Sequence, residues 1–164
     1  MTSSKSGQAI AVAWVLLLGA SAPAAPPDQV YYPDGYRHWT VAKFKLIGPD
    51  NPNYEKQGGF RHHYANDIAL GSWGKFQGGA VIVDERVHAR LNEQQVWEAT
   101  DLANVAVMRK DAEHRADTGG WYFNYFTGED RAGGITAAQA KAGCFDACHQ
   151  AQAARDFVFS DPRR

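Results

Sequence analysis

The sequence is short of sulfur and of any charge bias. It holds two cysteines and two methionines among 164 residues, and its 17 Lys and Arg nearly balance 18 Asp and Glu, for a formal net charge of −1. Thiol chemistry therefore rests on Cys144 and Cys148 alone. There is no clustered Lys/Arg stripe of the kind that neutralises phosphates, which argues against nucleic acid as a partner. No apolar run reaches the roughly 20 residues that a membrane-spanning helix needs, and no internal repeat stands out. What the chain has in quantity is aromatic side chain, five Trp, seven Tyr and eight Phe. That composition suits strands and a core built around a flat apolar ligand.

The N-terminus reads as an address. Lys5 precedes the apolar stretch from Ala9 to Leu18, and the small residues Ala20, Ser21, Ala22 and Ala24 follow, the pattern of a secretory signal. Pro23, Pro26 and Pro27 would break a continuing helix. The expectation is a signal peptide over residues 1–24 and a single domain over 25–164, exported to the periplasm or an equivalent space, with no membrane span after cleavage. An uncleaved anchor is the alternative, and it leaves the rest of the chain on the same side. About 140 remaining residues fit one hydrophobic core.

Along that domain, Thr40 to Ile47 runs into a loop of turn residues, Gly48 to Asn53. Gly58 to Ala65 reads as a strand, Asp67 to Trp73 as a short helix, and Ala80 to Val87 as a second strand after Gly78 and Gly79. Leu91 to Thr100 has helical composition, whereas Val105 to Lys110 alternates as a strand does. The aromatic run Trp121 to Phe126 is expected at the centre of the sheet. From Thr136 to Ala153 an Ala-rich helix is expected to carry both cysteines. The class is α+β, a largely antiparallel β-sheet with a few flanking helices.

The segment Cys144, Phe145, Asp146, Ala147, Cys148, His149 carries the chemistry. In c-type cytochromes two thiols add across the haem vinyl groups and the next His is presented to the iron; the usual signature is C-x-x-C-H. This chain has one residue more, a C-x-x-x-C-H spacing that also attaches haem in some proteins, the extra residue forming a local bulge. Two other readings stay open on these residues alone. A disulfide is one, because four residues along a helix separate Cα atoms by about 6 Å in an oxidising compartment. A zinc site is the other, with its fourth ligand unnamed.

A wider set of matches lies in the same order from about residue 31 to 160. Tyr32 to Trp39, Gly59 to Asn66, Gly74-Lys75-Phe76 with Gly79 to Val83, Thr118 to Trp121, and Cys148-His149 with Asp156 to Ser160 resemble the cytochrome P-460 family, which also contains the cytochromes c-prime-beta. The resemblance implies a β-rich, usually homodimeric periplasmic haem protein. It would carry one covalent haem c per chain, attached through Cys144 and Cys148, with His149 as proximal iron ligand. In cytochromes P-460 a Lys on the strand matching Val81 to Glu85 cross-links to the haem and supports hydroxylamine oxidation; Asp84 stands there in this chain. Lys75 and Lys110 would each need a different local geometry to substitute. The c-prime-beta members lack the cross-link and bind nitric oxide or carbon monoxide at a five-coordinate iron under an apolar cap.

Arg61 aligns with an Arg of the cytochrome P-460 distal pocket. On a strand it shares a face with His63, while His62 points the other way. The expected function is thus a five-coordinate haem c protein that binds nitric oxide or a related small diatomic or nitrogenous ligand. The first rival is a hydroxylamine- or peroxide-using oxidoreductase with Arg61 and Asp84 as catalytic candidates. The second is an electron-transfer cytochrome, which needs a sixth ligand such as Met108 and a redox partner protein. Met108 is read first as core filler, and His38, His88 and His114 as surface or capping groups.

Overall fold

A computed structural model describes residues 30–128 and 133–161; the expected signal peptide, residues 1–24, lies outside the described residues. Five strands form one antiparallel sheet in the order β1-β2-β3-β4-β5. They are β1 (Thr40–Ile47), β2 (Gly59–Ala65), β3 (Val81–Leu91), β4 (Trp97–Lys110) and β5 (Trp121–Thr127). Three short helices, α1 (Tyr54–Gln57), α2 (Asp67–Gly71) and α3 (Ala137–Ala140), fill connections. The expected α+β class holds. Among the described residues no helix is long and apolar enough to cross a membrane.

Period-two alternation sorts the strands into two faces. On one, Ala65, Ile82, Met108, Trp121 and Phe123 pack against Phe76, Ala140, Phe145 and Val158. On the other, Tyr64, Val83, Val105, Val107 and Phe126 lie beneath Val30, Tyr32, Tyr36 and Trp39. Burying one such side chain contributes roughly 1.5–3 kcal/mol, so both layers hold the sheet. The β2–β3 register pairs Arg61 with Arg86, His62 with Glu85 and His63 with Asp84. Gly59 enters β2 at φ 109°, where an added Cβ would strike the Val87 carbonyl. Only glycine allows the two backbones to approach so closely.

Three expectations are corrected. Leu91 to Thr100 is not helical: β3 runs to Leu91, β4 starts at Trp97, and Asn92 makes the turn between them. Its side-chain oxygen accepts from the amides of Gln94 and Val96 at 3.0 and 2.9 Å. Cross-strand pairs Leu91 with Trp97 and Arg90 with Glu98 extend the ladder, so strand pairing overrides local helical propensity. The run from Trp121 is the edge strand β5, not a central one. It is nevertheless buried, because the C-terminal segment covers one face and the residues around Tyr32 and Tyr36 cover the other. Finally, the Ala-rich stretch is not one helix. It divides into α3, a π-helical turn (Lys141–Asp146) and a 3₁₀ stretch (His149–Arg155).

Candidate functional site

A cavity of about 260 Å³ opens between the first sheet face and the C-terminal segment. Ile82, Ala106, Met108, Phe123 and Val158 make its apolar wall. All five site residues named from the sequence, Arg61, Asp84, Cys144, Cys148 and His149, line it, although they come from β2, β3 and the C-terminus.

The cysteine–histidine segment begins at a well-capped helix. Thr136 accepts from the Gln139 amide, and the Gln139 side chain accepts in return from the Thr136 amide, a capping box. The chain then widens into the π-helical turn, which closes with the Ala147 amide donating to the Ala142 carbonyl at 3.2 Å. A π-turn is an α-turn with one residue inserted. The turn here contains Cys144 and ends at Asp146, before Cys148. Cys148 leaves helical geometry at φ −136°, ψ −61° and turns His149 toward the cavity wall. The two cysteines stand as free thiols, Cys144 half-buried and Cys148 exposed. Burial pushes the Cys144 thiol up, and the neighbouring Cys148 adds to it.

His149 lies against two rings, Phe123 at 4.9 Å and Phe159 at 5.1 Å between centroids. Its Nδ1 is 2.7 Å from the Phe157 carbonyl oxygen. A carbonyl only accepts, so Nδ1 carries the proton and Nε2 keeps its lone pair. Burial lowers the His149 pKa and favours this neutral form. A neutral imidazole whose other nitrogen donates to a backbone carbonyl is the arrangement that metal-ligating histidines adopt. Together with apolar walls and two free thiols, the donor set fits a covalently attached haem. Zinc fits less well: among the described residues no group of three or more His, Cys, Asp or Glu converges on one point.

The polar wall stands on β1, β2 and β3. Arg61 donates through Nε to Asp84 Oδ1 at 3.1 Å and through Nη2 to Asp84 Oδ2, a two-pronged ion pair. Its Nη1 reaches Gln57 at 3.3 Å. His63 shares this face, as the alternation predicts, with Nδ1 hydrogen-bonded to Ser160 Oγ. Its Nε2 is buried without a hydrogen bond, 3.6 Å from Asp84 Oδ1. Burial pushes the His63 pKa down to about 4.

Lys45, opposite Arg61 in the β1–β2 register, also lines the cavity and was not picked out from sequence. Only the register brings it to the site, since residue 45 and residue 61 carry no joint motif. Its pKa is lowered by burial and then by Arg61. The other lysines considered lie elsewhere: Lys75 does not line the cavity, and Lys110 is buried in an ion pair with Asp156 at 2.5 Å. Met108 lines the cavity from within the apolar cluster, between Ile82 and Phe123 in the sheet register. His38, His88 and His114 are exposed, the last two beside Asp101 and Asp111.

The site is thus a cavity on one face of an antiparallel sheet, lined by apolar side chains, one imidazole and two thiols. The chain belongs to the cytochrome P460 family, whose model matches residues 33–160, most of its length. Membership implies a haem cofactor. A search of curated protein sequences found no match.

Proposed function

We propose that this chain is an exported c-type haem protein. One haem would be held covalently by Cys144 and Cys148 and ligated by His149, with a five-coordinate iron that binds nitric oxide or a related small ligand. The observation that supports this reading most is the fixed tautomer of His149, Nδ1 on the Phe157 carbonyl, beside two unpaired thiols on one cavity. The haem supplies an open coordination position for a small ligand; the protein does the rest. Arg61 is held by Asp84, which keeps its planar group oriented along the cavity wall. Lys45 makes no hydrogen bond or ion pair among the described residues, so its charge is available to a polar or anionic ligand. His63 stays neutral because charging it there costs desolvation. Export to the periplasm, read from the leader-like N-terminus and the resemblance, and a homodimer, implied by the resemblance, complete the proposal; a redox partner protein belongs to the electron-transfer alternative.

The test is intact mass and a pyridine haemochrome spectrum on protein made with a cytochrome c maturation system. A mass gain of one haem with a c-type spectrum supports the attachment. An apoprotein two protons light would mean a disulfide and would end it. Carbon monoxide should then bind the ferrous protein readily. A six-coordinate spectrum with no binding would instead favour an electron-transfer cytochrome with a sixth ligand such as Met108.

A second reading is favoured by a specific contact. Asp84, His63 and Ser160 form a chain at the cavity, with the unbonded His63 Nε2 facing the carboxylate. Such a chain could take up a proton during hydroxylamine or peroxide turnover, with Asp84 as the acceptor. Hydroxylamine-dependent reduction of an electron acceptor would support that oxidoreductase; its absence would remove the hydroxylamine-oxidising form.

A further inference from the structure

Directly after the 3₁₀ stretch that begins at His149, two consecutive residues take the left-handed conformation, Asp156 at φ 50° and Phe157 at φ 64°. Neither is glycine. Asp tolerates this region, but for a bulky residue such as Phe it is a strained position that surroundings must impose. The imposing contacts are visible. Lys110 Nζ, buried over the Trp121 ring at 5.0 Å, binds Asp156 Oδ1 at 2.5 Å and the Gly119 carbonyl at 2.9 Å. The Phe76 amide donates to the other carboxylate oxygen, Oδ2, at 2.8 Å, and Trp121 Nε1 donates to the Asp156 carbonyl at 3.0 Å. The Phe157 ring lies over Gly119, where any Cβ would collide with it. The product of this bracing is one oriented group, the Phe157 carbonyl, 2.7 Å from His149 Nδ1.

We infer that the buried Lys110–Asp156 ion pair is a positioning device for His149: it holds the strained Asp156–Phe157 turn so that the Phe157 carbonyl polarises the imidazole N–H. The ion pair sits outside the cavity lining, so it touches neither the cofactor position nor a ligand. It acts through the backbone of the turn. A stronger acceptor on Nδ1 makes Nε2 a better electron donor, and hydrogen bonds of this outer kind tune a bound metal. The inference rests on the proposed role of His149 as iron ligand. It adds that a lysine 39 positions earlier in the chain, on β4, sets the donor strength of that ligand.

The test uses the full, haem-loaded protein. Asp156→Asn suits it, because Asn also tolerates the left-handed region and keeps an oxygen for the Phe76 amide while losing the charge that binds Lys110. The expected result is an iron–histidine stretching band shifted to lower frequency in the ferrous, ligand-free state, together with a more positive reduction potential. Lys110→Gln should shift both in the same direction, and Lys110→Arg, which keeps the charge, should restore much of each. A purely structural pin would lower stability and leave band and potential at their wild-type values, and that outcome in haem-loaded Asp156→Asn overturns the inference. Failure of the underlying reading looks different: wild-type protein without covalent haem, or a band that survives His149→Ala.

Discussion

Asp84 and Glu85 are neighbours on β3 and carry the same functional group, yet they face opposite sides of one sheet. Glu85 points to the side away from the cavity, where it is 4% exposed. Its carboxylate accepts from the Tyr36 hydroxyl and from Arg37 Nε at 2.6 Å, with His62 Nδ1 at 3.7 Å. Burial, followed by the hydrogen bond to Glu85, drives the Tyr36 hydroxyl pKa well upward, so Tyr36 remains a donor. Asp84 faces the cavity and is bound by Arg61, and each carboxylate has an unbonded imidazole nitrogen beside it, His63 Nε2 by Asp84 and His62 Nδ1 by Glu85. A carboxylate enclosed by its donors is framework. One that lines a cavity can respond to what enters.

Breaking each carboxylate in turn should separate these roles. Glu85→Ala removes the buried acceptor that the Tyr36 hydroxyl and Arg37 share and should cost about 3 kcal/mol of unfolding free energy. Asp84→Ala removes a partly exposed pair and should cost about 1 kcal/mol. Urea titrations of both variants measure the difference, and equal losses would erase the distinction between framework and cavity carboxylates.

His63 sharpens the same comparison through pH. Its folded pKa is about 4, against an ordinary value of 6.5. As pH falls the unfolded chain takes up this proton first. The neutral imidazole's contribution is therefore complete above pH 6.5 and is lost progressively toward pH 4. The loss should amount to about 3 kcal/mol. His63→Gln should flatten that part of the stability–pH curve, and an unchanged curve would place His63 in solvent. The smallest effect belongs to Lys45. Lys45→Gln should weaken azide binding to the ferric protein roughly three- to tenfold at low ionic strength, with little change for carbon monoxide, and added salt should narrow the gap. Equal weakening of both ligands would contradict a charge effect.

Legibility followed locality. Cys144, Cys148 and His149 were legible as a group because they are neighbours in sequence, and the structure brings all three to one cavity. Arg61 and His63 were correctly placed on one face because alternation along a strand is a local rule. Leu91 to Thr100 was misread as helical because its composition says nothing of the Asn92 turn or of the β3–β4 ladder that captures it. Trp121 to Phe126 looked central because its side chains are apolar, whereas its burial comes from layers on both faces rather than from strands on both sides. Lys45 was silent for a related reason, since it reaches the cavity only through its register with Arg61.

The sequence by itself determined the alternation of the strands, the α+β class and the family to which the chain belongs. Those properties reside in residues close to one another or in periodic patterns. Tertiary structure decided which carboxylate faces the cavity with Arg61, where the charge of Lys45 falls, and how Lys110 reaches Asp156 to brace the turn beside His149. Strand register and chain reversal bring residues tens of positions apart within hydrogen-bonding distance, and the burial that gives those contacts their strength exists only once the chain has folded.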